Sequence, residues 1–237
     1  MSKKSSSKTN FLAQGTILVI ASFVAKAIGM IYRIPLTHIL GDDGNGYYST
    51  ANEIYTIILM ISSFSLPLAV SRLVAEREYA GEVKNSYRVL ICSLRFAAVT
   101  GGILSILTFL LGGVITKYVM GVELASYALR VLAPAIFLFA LTGVLRGFFQ
   151  GHGTMVPTAV SQIIEQIINA IVSVAGAYVM LQYGLKLGEK KGDAELGTAL
   201  AAAGGTFGTV ASVGVALLFM IVIYLGYRNG FKRRMKK

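Results

Sequence analysis

The sequence predicts an all-α integral membrane protein with about six transmembrane helices and both termini cytoplasmic. Three observations carry that prediction. Hydrophobic residues make up 55% of the chain and charged residues 14%, with a mean hydropathy of +0.68, whereas soluble domains carry about 25% charged residues. The apolar residues gather into stretches long enough to cross a bilayer, which takes roughly 20 residues in a helix. Lys and Arg collect at the two ends and in alternate loops, the pattern of the positive-inside rule. Six spans with short loops use nearly all of the 237 residues and leave no room for a soluble catalytic domain.

The elements follow in chain order. Residues 1–10, MSKKSSSKTN, make a basic polar cytoplasmic tail. The apolar run after it is too long for a signal-peptide core and lacks a small-residue cleavage site, so it is read as a retained first span. The spans fall at about 11–39, 47–74, 87–115, 124–149, 156–183 and 196–227, within a lobe covering 11–228, and 229–237 form a basic cytoplasmic tail. With the N-terminus inside, the inner segments hold Lys3, Lys4 and Lys8; Arg72, Arg77, Lys84 and Arg88; Arg146; and Arg228, Lys232, Arg233, Arg234, Lys236 and Lys237. The outer ones hold only Lys117, Lys186, Lys190 and Lys191. This distribution, rather than nucleic-acid binding, accounts for the net charge of +11. The segment 41–46, GDDGNG, is a tight turn of residues that tolerate positive φ; its acids lack the ligand spacing of a calcium loop. Cys92 is the only cysteine, so no intrachain disulfide forms.

Polar residues inside the spans carry the functional signal, because a charge in hydrocarbon costs at least a few kcal/mol unless it faces a polar cavity or a partner. In span 1, Ser22, Lys26, Gly29 and Arg33 recur at helical spacing on one face. Pro35 follows and predicts a kink. A kinked cationic stripe suits an anionic ligand such as a phosphate; the competing reading is that Lys26 and Arg33 snorkel to opposite interfaces. Span 2 carries Asn52, Glu53, Thr56 and Ser63, with a kink expected at Pro67. Glu53 is either hydrated near the interface or paired with Arg33 or Lys26. Span 3 carries Arg95 on one face with Arg88 and Cys92, where snorkelling or a cavity role would each place it. Span 4 carries Arg130 and, at its inner end, Arg146, with a third kink expected at Pro134.

Span 5 is the most specific. Gln162, Glu165, Gln166, Asn169 and Ser173 form a polar stripe along an Ile/Val/Ala helix. Interhelical hydrogen bonding would explain one or two such residues; five, centred on a carboxylate, point to a water-filled cavity. In span 6, Gly204 and Gly208 form a GxxxG pair for close helix packing. No P-loop, HExxH, GxSxG or Cys/His cluster appears, which argues against an enzyme and against a metal site. His38 and His152 are far apart and fall on opposite sides of the membrane in this topology.

The residues then resemble a family. Gly15, Lys26-Ala27-Ile28-Gly29, Tyr32-Arg33, a loop opening at Gly41, and Gly46-Tyr47-Tyr48 are similar to the polysaccharide-biosynthesis and lipid II flippase branch of the multidrug/oligosaccharidyl-lipid/polysaccharide (MOP, MATE-like) exporter superfamily. Phe149-Gln150-Gly151-His152-Gly153, Pro157, Ser161-Gln162 and Glu165-Gln166 resemble the span 4–5 junction of its stage V sporulation protein B-like group. The resemblance covers essentially the whole chain. It implies two six-helix lobes around a central cavity, of which this chain is the N-terminal one. The chain is then a fragment, or a half-size protein that pairs with a second lobe or a second copy. It implies flipping of undecaprenyl-pyrophosphate-linked oligosaccharide or a lipid II-like peptidoglycan precursor by alternating access, in a bacterial cytoplasmic membrane.

Lys26 matches one of the family's cavity cations and Arg33 falls beside another, which implies contact with pyrophosphate. No cofactor is expected beyond a coupling ion, H+ or Na+. The expected partners are the lipid-linked oligosaccharide, membrane lipid and the second lobe, with no nucleic acid. Two alternatives stay open: a multidrug or cation antiporter of the same superfamily, in which Glu165 would matter more than Lys26, and a membrane-embedded glycosyl- or acyltransferase.

Overall fold

A computed structural model describes the backbone of residues 2–192 and 195–235 and the side chains of 14–190, 192, 195–228 and 230; Lys236 and Lys237 of the basic tail lie outside the described residues. Among the described residues, six α-helices run in order: α1 Ser2–Ser62, α2 Leu66–Tyr79, α3 Val83–Val114, α4 Ala125–Gly151, α5 Val156–Lys191 and α6 Leu196–Met235. α3 ends in one π-helical turn, Ile115–Val119. Five helical stretches are long and apolar enough to cross a membrane, and large apolar side chains such as Phe23, Met30 and Ile61 stay 72%, 69% and 79% exposed. That outward-facing apolar surface is what lipid contact requires, and the chain is a multi-pass membrane protein.

The first of the five stretches, Gln14–Tyr79, has 66 residues. As a straight rod it would reach about 100 Å, some three hydrocarbon thicknesses. It does not stay straight. Gly41 breaks the helical dihedrals at φ 64°, ψ −171°, a region essentially closed to any side chain. Leu36, Leu40, Tyr48, Ala51 and Tyr55 consequently gather in one core, and the Tyr32 and Tyr48 side chains meet across the reversal. The expected six-residue turn at 41–46 is thus narrower: residues 42–46 are already helical. Replacing Gly41 with alanine should cost about 1–3 kcal/mol and lower the thermal midpoint of the purified protein; an unchanged midpoint would show that the reversal does not depend on this residue.

The helices continue through two of the three prolines expected to kink or break them. α1 keeps helical dihedrals through Pro35, and α4 runs unbroken through Pro134. Prolines are tolerated inside membrane helices where other groups reorganise around the backbone; beside Pro134, Ser105 Oγ donates to Ala133 O at 2.8 Å. At Pro67 the chain does break, but upstream, at the turn between Ser62 and Leu66, and Pro67 sits in the first turn of α2, where its missing N–H costs nothing. At the other end, α1 begins at Ser2, so the polar segment 2–10 extends the first helix.

Two cores hold the bundle. One, towards the Gly41 end, joins α1 to Leu129, Leu132 and Ile136 of α4, Ala177 of α5 and Ala201 of α6. The other, towards the His152 end, joins Val70 and Val74 of α2 to Leu90, Phe148, Phe149 and Met220. Small residues set the closest approaches. Gly204 lies directly against Gly176, and Gly208 against Ser173, so α5 and α6 cross nearly backbone to backbone. Gly143, Gly147 and Gly151 of α4 do the same for α2.

Candidate functional site

The polar stripe of α5 is met by the first half of α1. Ser22 Oγ, which donates to Leu18 O of its own helix at 2.9 Å, also lies 3.3 Å from Gln162 Oε1. Gly29 leaves room for the Gln166 Oε1 beside it. Asn169 Nδ2 donates to Tyr32 Oη at 2.9 Å, and Ser173 Oγ donates to Asn169 Oδ1 at 2.9 Å. Asn169 and Ser173 are buried. Over part of its length the stripe therefore faces α1, where Gln162 and Asn169 meet side chains of the first helix. Each hydrogen bond across a helix pair removes a polar group from hydrocarbon, which is reason enough for the amides.

Glu165, at the centre of the stripe, has a partner that helical periodicity along α5 does not reveal. Arg146 Nη2 donates to Glu165 Oε2 at 2.7 Å, and Arg146 Nε donates to Ser161 Oγ at 2.9 Å. The two charged side chains are 9% and 15% exposed. Tyr55, from the second half of α1, lies within electrostatic reach of the same carboxylate. Arg146, expected at the inner end of span 4, is buried within α4. Hairpin symmetry could have found it: Arg146 lies five residues before the last residue of α4, and Ser161 five after the first residue of α5. Glu165 is one helical turn further along.

The remaining expected site residues face outward. Lys26, Arg33, Glu53 and Arg95 are all exposed, and among the described residues none forms an ion pair. Lys26 lies fifteen residues after Phe11, where the apolar run begins, and fourteen before Leu40, so it sits about 22 Å and 21 Å along the helix from the two ends of that run. That is beyond the reach of easy snorkelling. Arg33 lines a cavity of about 480 Å³ together with Ser49, Asn52, Glu53, Thr56 and Ile57. The reversal at Gly41 builds this groove: Arg33 lies eight residues before Gly41 and Ser49 eight after it. Without the turn, Arg33 and Glu53 would be about 30 Å apart along one helix. Arg95 is on α3, and no hydrogen bond among the described residues links it to the groove. His152 is tied to α2 instead of a ligand set, with Nε2 3.2 Å from Glu78 Oε1.

The site thus has two parts. One is a buried polar network where α1, α4 and α5 meet. The other is an exposed, charged face along both halves of α1, with Lys26 at mid-span and Arg33 and Glu53 in a shared groove. Only the second part can reach a ligand without breaking helix contacts.

Comparison with known proteins bears on what such a face meets. The model of the polysaccharide biosynthesis protein family matches residues 11–237. The chain is 28% identical over 227 residues to stage V sporulation protein B of Bacillus subtilis (strain 168), covering 96% of this chain and 41% of that protein. It is also 28% identical over 180 residues to lipid II flippase MurJ of the same organism, covering 72% of this chain and 33% of that one. The chain therefore spans less than half the length of these curated relatives. Among solved structures, an outward-facing multidrug resistance MATE family transporter of the MOP superfamily superposes with a TM-score of 0.70 at 18% identity, over 90% of this chain and 45% of that chain. At that identity the likeness establishes the fold: this chain has the architecture of one MATE-like lobe.

Proposed function

Because the chain belongs to the polysaccharide biosynthesis protein family, we propose that it forms one lobe of a transporter that flips a lipid-linked, pyrophosphate-bearing oligosaccharide across the membrane by alternating access. The observation that carries this reading is the exposure of Lys26 at mid-span, on the same helical half as Arg33 and its groove. A lone ammonium at that depth is stable only against water or an anion. A second lobe, or a second copy of the chain, would cover the charged face of α1 and turn it into the wall of a central cavity. The relatives are transporters and a flippase rather than enzymes.

The cation-antiporter reading depends on an available carboxylate. Glu165 is already compensated by Arg146 at 2.7 Å, so a coupling ion, H+ or Na+, would have to displace that arginine to use it. The exposed carboxylate on this face, Glu53, shares its groove with Arg33, and Lys26 lies on the same helix half as Arg33; two cations against one acid favour an anionic cargo. The test is to introduce Lys26→Ala at the chromosomal copy of the gene and to measure polyprenyl-pyrophosphate-linked sugar in lipid extracts. The precursor should accumulate several-fold at normal protein level, and Lys26→Arg should restore the pool. An unchanged precursor pool in Lys26→Ala cells would overturn the reading.

A further inference from the structure

The groove beside Arg33 has two chemically unlike walls. On one side is Arg33, whose guanidinium carries only donors. On the other, the second half of α1 presents acceptors. Thr56 Oγ1 uses its single proton on Asn52 O at 2.7 Å, which leaves its lone pairs facing out. Asn52 Nδ2 donates to Tyr48 O at 2.8 Å, which fixes the amide and keeps Oδ1 as an acceptor. Glu53, ionised, is acceptor-only. Arg33 and Glu53 share the cavity yet do not close into an ion pair within the 4.0 Å criterion.

Two opposite charges held apart across one cavity suit a ligand that carries both complements. It must offer an anion to Arg33 and, a few ångströms away, hydroxyl, amide or ammonium donors to Glu53, Asn52 and Thr56. A phosphate joined directly to a sugar has that order of groups. The cavity, about 480 Å³, is within the roughly 300–1,000 Å³ of small-ligand sites.

We infer that this groove is a glycosyl-phosphate subsite, in which Arg33 takes the phosphate next to the sugar and the Glu53–Asn52–Thr56 wall reads the donors of that first sugar. The inference rests on the proposed flippase reading and deepens it. Lys26, two helical turns below Arg33, meets the charge further along the pyrophosphate. Glu53 is then a specificity-determining residue that separates glycosylated from bare lipid, and charge balance of the cavity is secondary to that.

Two probes separate these roles. The purified chain in nanodiscs is titrated with undecaprenyl pyrophosphate, which has no sugar, and with undecaprenyl pyrophosphate bearing an N-acetylhexosamine. Glu53→Gln should weaken binding of the glycosylated lipid at least tenfold and leave the bare lipid unchanged. Thr56→Val should do the same to a smaller degree, and Arg33→Ala should weaken both. Glu53 and Thr56 are exposed, so thermal midpoints should not move. If both lipids bind but Glu53→Gln weakens neither, or weakens both alike, the subsite is wrong and the flippase reading stands. If neither lipid binds the unsubstituted chain while Lys26→Ala still raises the precursor pool, the subsite is wrong and the flippase reading stands; if that pool is unchanged as well, both fall.

Discussion

Replacing Arg146 with methionine is expected to cost about 3–5 kcal/mol of stability, because it strands the Glu165 carboxylate in the interior without a counter-charge. Arg146 Nη2 and Glu165 Oε2 are 2.7 Å apart, and the side chains are 9% and 15% exposed. Ser161 engages the same guanidinium at 2.9 Å, so two groups lose a partner at once. The measurement is the thermal midpoint in detergent, followed by size-exclusion chromatography of the remaining monodisperse protein. Glu165→Gln alone should cost less, since the amide keeps a hydrogen bond to Arg146. The decisive variant is Arg146→Met with Glu165→Leu. Removing both charges from a buried pair is often neutral or stabilising, so the double variant should recover most of the loss. If it is as unstable as Arg146→Met, the arginine acts through packing and not through the carboxylate. If it is stable yet fails to transport, the pair has a role in the transport cycle beyond holding the lobe together.

That pair also marks how far the sequence could be read. Composition and span length settle the fold class, since no soluble architecture tolerates so much outward apolar surface. Helical periodicity correctly sorts Gln162, Glu165, Gln166, Asn169 and Ser173 onto one side of α5. It is silent on what lies opposite, and a polar stripe looks the same whether it faces water or a neighbouring helix. Ser22 and Tyr32 turn out to supply the neighbour for part of it. Local rules do not say where a proline ends a helix. A Pro inside a helix is disruptive when the backbone alone is considered, yet the dihedrals pass through Pro35 undisturbed, whereas the turn before Pro67 needs Ser63 to Ser65 to leave the helix. The reversal at Gly41 was legible as a turn but not as a single residue, because Asp42, Asp43 and Asn45 have turn-like chemistry and still adopt helix here. The groove of Arg33 and Glu53 follows only from that reversal. Glu53 was expected to pair or hydrate; its place in a common cavity with Arg33 required the two halves of α1 to be folded against each other.

Gly147→Ala and Gly46→Ala add the same methyl group and should shift stability in opposite directions. Both glycines are helical, so each substitution gains roughly 0.5–1 kcal/mol from lower backbone entropy in the unfolded chain. A Cβ at Gly46 meets nothing within 4 Å, so the gain should survive as an unchanged or raised midpoint. A Cβ at Gly147 would come within 2.5 Å of Pro67 O, 3.0 Å of Pro67 Cα and 3.0 Å of Val70 Cβ. None of these is the end of a flexible side chain that could swing aside. α2 must move off α4, and Gly151 repeats the constraint one turn on, with Val74 Cβ at 2.6 Å and Ser71 O at 2.7 Å. Overpacking of this kind costs about 1–3 kcal/mol, more for Gly147→Leu, and should outweigh the entropic gain. Undocking of α2 has its own readout, because Arg72 and Arg77 lie on it: limited trypsin cleavage there should accelerate in Gly147→Ala and not in Gly46→Ala. Equal shifts in the two variants would mean that α2 is free to reseat. Gly147 also directly follows Arg146, so moving α4 to relieve the clash displaces the guanidinium from Glu165. Gly147→Ala and Arg146→Met should therefore be non-additive, as expected for substitutions that disturb one shared contact.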